Sequence, residues 1–405
     1  MTRRFRFDGV ECSDDHTAFP HLLGDAYRRR VRPYCLCQKP GVEMYIAHIG
    51  DQLVIKRMPL SGGRHDPACP SYELPFELSG LGPLMGTAIK VNGPEGVASL
   101  KLDFALSRRR KTTRADASGN GSDSVRIDGK RLSLRALLHF LWHESGLTDW
   151  TAHWKGKRHW WQVYHHLLEA AGRMTVRGEA LHGRLLIPEP FRSEDKAAIE
   201  QRRAKKLGNL FQPSLGSASQ HLMILVGEVK DFVEARKGRQ IVIKHMPGFR
   251  LHLAKETWNS VERRFEPELA LWKSNKTSHL MMIATIGAAA ADVITVHEAA
   301  FMSASEEWLP VESAHEQCLV QRLARLKSRS VKNLRFDLPR SQPFANATLP
   351  EAKPQPLALY IVPPSADQAF EAALKEMIGE RPDLSAWVWR VANGEMPPLP
   401  LRSDG

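Results

Sequence analysis

"YCLCQKPGVEMYIAHIGDQLVIKRMPLSGGRHDPACPSY" (residues 34–72) places Cys35, Cys37, His65 and Cys69 around one run of alternating apolar and polar residues. The alternation occupies residues 42–58 on both sides of Gly50-Asp51, a hairpin signal. A hairpin returns the chain to where it began, so Cys35 and Cys37 at one end meet His65 and Cys69 at the other. Three cysteines and one histidine form a recognised ligand set for a structural, tetrahedral Zn²⁺. The second pair sits between Gly62-Gly63 and Pro67/Pro70, which favour a tight irregular turn. The first pair, Cys-x-Cys, is closer than the usual Cys-x₂-Cys and demands a sharper curl. The competing reading is of ordinary buried thiols beside an exposed histidine. His48 lies mid-strand and cannot easily join both pairs. With four protein ligands no position remains for water, which favours structure over catalysis. No HExxH is present, and His65 is followed by Asp66-Pro67 rather than by the x-Glu of a deaminase.

Outward from the hairpin, short strands flank an Asn-Gly-Pro turn, so residues 1–106 read as a small β-rich zinc-binding domain. Residues 107–131 form a basic flexible linker, with no apolar side chain larger than alanine before residue 125. Its Arg108, Arg109, Arg110, Lys111 and Arg114 suit a phosphate-contacting arm, or equally a solvated connector. Residues 132–192 read as helix, helix, hairpin, the order of a winged helix, with Lys155, Lys157 and Arg158 at the start of the second helix and available to a DNA groove. The same order also occurs in domains that bind only protein. Residues 193–220 form a basic connecting helix, with Ser193 as N-cap and Glu194 and Asp195 in the first turn. Residues 221–396 alternate strands and helices, an α/β domain with a mixed sheet. The expected fold class is therefore α+β and multi-domain.

Length and composition agree: 405 residues, 42% apolar and 25% charged, suit a folded chain of several domains. A net charge of +12 points to a polyanionic partner, nucleic acid rather than a membrane; DNA is the expected nucleic acid, though the charge itself does not separate it from RNA. Five cysteines do not make a disulfide framework; Cys12 and Cys318 read as ordinary small buried residues. The start has no apolar h-region, and the longest apolar run, residues 279–296, is broken by Asp292, so the expected location is the cytoplasm. No P-loop or GxGxxG supports nucleotide chemistry.

"YCLC", "RHDPACPSY" and "LRALLHFLWHESGL" together resemble a family of uncharacterised bacterial proteins, a domain of unknown function carried largely on plasmids and integrative conjugative elements. The resemblance implies a place on mobile DNA, with protein partners from the same element, and no particular activity. The stretch at 307–337, followed by a strand pair and a helix, is similar in layout to restriction-endonuclease-like folds of the PD-(D/E)xK type. That resemblance implies an Asp and a Glu on adjacent strands to hold Mg²⁺ and a Lys to activate water. The matching positions hold Asn346 and Tyr360, no Lys stands at Val362, and Glu312, expected on the preceding helix, remains. The expected function is a non-catalytic, zinc-containing, nucleic-acid-binding accessory protein of a mobile element. Its rivals are a metal-dependent nuclease built from Glu298, Glu312 and Asp337, and a protein-interaction scaffold.

Overall fold

The computed structural model describes residues 2–92, 96–109, 130–211, 219–236, 238–290 and 293–400. Among them are eight α-helices: α1 (Phe19–Arg29), α2 (Leu134–Glu144), α3 (Trp160–Gly172), α4 (Lys196–Phe211), α5 (Lys255–Arg264), α6 (Glu266–Ser274), α7 (Ala314–Ala324) and α8 (Gln368–Gly379). Together with the sheets they make an α+β molecule.

Strands Val42–Ile49 and Gln52–Arg57 pair antiparallel from Met44↔Arg57 to Ile49↔Gln52. Gly50 turns the corner at φ +58, a conformation costly for residues with a Cβ. This hairpin forms one side of a five-stranded sheet, in the order Val10–Ser13, Arg4–Phe7, Tyr34–Cys35, Val42–Ile49, Gln52–Arg57. The sheet does not bury its apolar side alone. Phe5, Cys35, Met44 and Cys69 share one core with Tyr360, Val362, Phe370 and Leu374, so the N-terminal strands rest on α8 and its neighbouring strand.

The middle segment has its two helices and its hairpin, Met174–Val176 with Glu179–Ala180. Ser133 starts α2, its Oγ accepting the Ala136 N–H. However, Met174–Val176 also runs parallel to Val97–Leu100, which places the hairpin inside a four-stranded sheet instead of leaving it as a projecting wing. Leu137 and Leu141 of α2 and Val163 and Leu167 of α3 belong to the same core as Leu81, Ile89, Ile224 and Phe301. The expected boundaries near 106, 132, 192 and 221 therefore cross a shared core. Ser107–Arg109, expected as the start of a linker, pairs with Ser219–His221. Helix α4 begins at Lys196, so Ser193 is not its N-cap, and Glu194 and Asp195 precede its first turn.

Strand Met223–Ala235 is long enough to serve two neighbours. Its first half pairs with His279–Ala290 and its second half with Gly238–Ile243, with a bulge between Val229 and Asp231. Gly238–Ile243 pairs with Arg250–Leu253, which runs parallel to Val293–Ala304, itself antiparallel to His279–Ala290. The circuit closes into a five-stranded barrel ordered first, second, third, fifth, fourth, with α5 and α6 between the third and fourth strands. A bulge on a strand shared by two neighbours provides the bend that closure requires. The described residues of the long apolar run at 279–296 lie in the barrel's fourth and fifth strands, and among the described residues no helix is long and apolar enough to cross a membrane.

Beyond the barrel, α7 leads into strands Ser330–Lys332, Ala347–Leu349 and Leu357–Val362, then α8 and strand Ser385–Arg390. The first three strands are antiparallel and the last is parallel to Leu357–Val362. Segment 221–396, expected as one α/β unit, thus contains a barrel and a second mixed sheet, whose far edge is Asp149–Trp150 from the middle segment.

Candidate metal centre

Cys35 ends a two-residue strand bonded on both sides, opposite Phe5 and Val42. The Leu36 N–H donates to the Arg4 carbonyl at 2.9 Å, and Cys37 follows as the chain leaves the sheet. From the other end of the hairpin, the 3₁₀ turn Gly62–Arg64 delivers His65. A Cβ at Gly62 would stand 2.6 Å from the Glu73 Cβ, so glycine is required for this approach. The Asp66 side chain accepts from the Ala68 N–H, and the Asp66 carbonyl accepts from the Cys69 N–H, closing the turn that aims Cys69 back at Cys35.

The ligand atoms of Cys35, Cys37, His65 and Cys69 all lie within 4.8 Å of one another. Cys35 Sγ and Cys69 Sγ are 3.7 Å apart, Cys69 Sγ and His65 Nδ1 3.7 Å, and Cys37 Sγ and His65 Nδ1 3.3 Å. A tetrahedral ion with bonds of about 2.3 Å to sulfur and about 2.0 Å to nitrogen sets sulfurs roughly 3.8 Å apart and sulfur from nitrogen roughly 3.6 Å. Three of the six ligand-to-ligand distances thus lie close to the edges of a metal tetrahedron, and the other three are within 4.8 Å. No disulfide links Cys35 and Cys69. Cys35, His65 and Cys69 are 2%, 1% and 7% exposed while Cys37 is half-buried, and the exposed histidine of the competing reading is not what is found. Nδ1 is the nitrogen that faces the sulfurs. Nε2 is buried without a hydrogen-bond partner among the described residues.

The electrostatics favour thiolate at Cys69. Contact with Cys35 pulls its pKa down to about 3, helped by His65 and by the Ser71 N–H, which donates to its sulfur at 3.4 Å. The same contact, with burial, pushes Cys35 upward, and burial pushes Cys37 upward. Of the remaining cysteines, Cys12 is half-buried and Cys318 is exposed on α7, contrary to their expected burial. His48 is exposed with its ring against Tyr27, away from the centre.

The expected nucleic-acid residues fall into three groups. Lys155 and Lys157 are exposed just ahead of α3. Arg158 is only 6% exposed and donates to the carbonyls of Leu147, Asp149 and Glu307 at 3.0, 2.6 and 3.3 Å. Its guanidinium also lies near the Trp150 and Trp154 rings, and burial lowers its pKa to about 10. Arg158 is thus committed to the interior and does not offer itself to a phosphate. Arg108 is exposed, with Nη1 3.0 Å from His297 Nδ1. Only the backbone of Arg109 is described, in strand Ser107–Arg109. Arg110, Lys111 and Arg114 lie outside the described residues.

The acidic candidates do not assemble a site. Glu298 is exposed, and Asp337 accepts from Ser133. Glu312 accepts from Arg335 at 2.7 Å. Burial alone would raise the Glu312 pKa, but Arg335, Arg135, His139 and Lys332 outweigh it and hold it at about 2. Among the described residues, the cysteine–histidine cluster is the only set of three or more such groups with ligand atoms within 4.8 Å. Glu312 precedes the N-cap Ser313 and is not on α7; the helix carries Glu316 instead. Glu316 Oε1 accepts from Lys332 at 2.9 Å and from Asn346 at 2.8 Å, all three residues being at most 5% exposed. Asn346 Oδ1 in turn accepts the Ile361 N–H. Sequence reading passed over Glu316 and Lys332, since neither lies in a recognisable motif and pairing across 16 residues leaves no local mark.

The chain matches the family described as "Protein of unknown function (DUF1173)" over residues 5–392, and it belongs to that family. No curated protein and no solved structure matches it.

Proposed function

We propose that this member of the family is a non-catalytic, nucleic-acid-binding accessory protein of a bacterial mobile element, acting on DNA in the cytoplasm and held together by one structural Zn²⁺. The observation that carries the reading is the excess of 57 Lys and Arg over 45 Asp and Glu, with Arg108, Lys155 and Lys157 at exposed positions. An excess of this size favours a polyphosphate partner. Three thiols and an imidazole are soft and borderline donors, a set that suits zinc better than magnesium or calcium. Bound there, the ion would supply cohesion, joining the two ends of the hairpin.

The order helix, three strands, helix, strand over residues 314–390 supports the restriction-endonuclease-like layout. Its chemistry is not supported by these residues. Asn346 occupies the carboxylate position and is bound to Glu316, while Tyr360 is 2% exposed within a core. Glu316 and Lys332 neutralise each other in a buried pair, which favours a structural role.

The reading is tested by DNA binding of the full chain across a salt series. Log affinity is expected to fall linearly with log salt, with a slope of about −0.9 for each phosphate neutralised on duplex DNA. Absence of DNA binding at low salt, with a protein partner captured independently of salt, would replace this reading with a scaffold. Mg²⁺-dependent cleavage of plasmid DNA would replace it with a nuclease.

A further inference from the structure

The DNA reading does not use the barrel of residues 223–304, and its outer surface has a distinct character. Ile241, Ile243, Leu251 and Leu253 point into the barrel, each at most 2% exposed. Strand alternation then turns Gln240, Val242, Arg250 and His252 outward. The register sets Gln240 beside His252 and Val242 beside Arg250, and carries the first row on to Thr295 of the fifth strand. Arg250 is exposed, and its guanidinium donates to Gln240 Oε1 at 2.9 Å. Helices α2 and α6 pack against the fourth and fifth strands, and α5 packs against the second and fifth, where Arg239 lies over the Trp258 ring.

We propose that the outward face of strands Gly238–Ile243 and Arg250–Leu253 binds single-stranded DNA. The proposal deepens the DNA reading and rests on it. Closure in the order first, second, third, fifth, fourth, with helix between the third and fourth strands, is the connectivity of the oligonucleotide-binding barrel, which uses its second and third strands for ligand. Connectivity alone assigns no function; the groups on the face supply the argument. Arg250 offers a cation to a phosphate, Gln240 and Thr295 offer hydrogen bonds to base edges, and His252 offers a planar ring for stacking. Lys230 on the first strand and Lys244 after the second border the face with positive charge. Lys244 is paired with Glu228, and the acids Asp231 and Glu234 also belong to the first strand. A strand of six residues spans about 20 Å, the length of a few splayed nucleotides.

Fluorescence anisotropy of the full chain with a labelled oligo(dT) of about 12 nucleotides tests this, with duplex DNA and oligo(rU) as competitors. Oligo(dT) is expected to bind more tightly than duplex or oligo(rU). Arg250→Ala should weaken oligo(dT) binding about tenfold and reduce the salt slope by about 0.7, the share of one single-strand phosphate. His252→Ala should weaken it at least about fivefold without changing the slope, because stacking releases no counterion, and His252→Phe should restore it. Melting temperatures of all three variants verify their folding. If the folded variants bind oligo(dT) like the parent while duplex binding persists, the barrel proposal is wrong and the DNA reading stands. Preference for duplex or for oligo(rU) also overturns the proposal. No binding to any nucleic acid removes both readings.

Discussion

His139 illustrates how one buried residue sets a pH dependence. It lies on α2, 2% exposed, and its Nδ1 accepts the Phe336 N–H at 3.0 Å, which requires that nitrogen to be unprotonated. Burial lowers its pKa from 6.5 to about 3, more than the nearby Glu312 carboxylate can offset. The unfolded chain therefore takes up a proton near pH 6.5 that the folded chain refuses, so stability is fully present above that pH and is lost as pH falls toward 3. This residue alone should cost about 1 kcal/mol between pH 7 and pH 5.5. Urea midpoints of the parent and of His139→Gln at those two pH values measure it. The variant should be less stable overall but flatter with pH by that amount; equal pH dependence would contradict the assignment. His166, lowered to about 4 chiefly by burial, adds to the parent's loss with the same sign.

The elements divide by how local their causes are. The hairpin at 42–58 was legible because alternation and a Gly-Asp turn sit within one stretch of chain, and it brought the two ligand pairs together as expected. Strand Leu357–Val362, α8 and strand Ser385–Arg390 were legible because each is a single local run of apolar or helically spaced residues. The barrel was not, since its closing pairs, such as Met223↔Ile286, join residues with no shared local pattern. The hairpin at 174–180 was read as a wing because its other partner, Val97–Leu100, lies far back in the sequence. Arg158 looked like Lys155 and Lys157 in a basic run, and only the surrounding Trp150 and Trp154 hinted that it turns inward. Their opposite placements predict opposite effects on DNA binding. Lys155→Ala with Lys157→Ala should leave stability nearly unchanged and reduce the duplex salt slope by about 1.8 if each lysine meets one phosphate. Arg158→Ala should instead destabilise the fold by several kcal/mol, on the order of 3, because it orphans one buried and two part-buried carbonyls. Titrations and thermal melts of the two variants separate these outcomes; a large loss of stability in the lysine pair would contradict the first.

At the scale of the whole molecule, the candidate metal centre concerns more than the N-terminal sheet. Cys35 and Cys69 lie in the core that also holds Tyr360, Phe370 and Leu374, so loosening the centre should loosen α8, some 300 residues away in sequence. Hydrogen exchange after chelation should rise at α8 as well as at residues 34–72, and a change confined to the N-terminal sheet would contradict this coupling. Whether Cys35, Cys37, His65 and Cys69 hold one zinc ion is decided by elemental analysis of the purified chain beside Cys69→Ala. About one zinc per chain is expected in the parent, and loss of most of it in the variant. A parent without zinc, or a variant that retains the parent's full content, would contradict the zinc assignment.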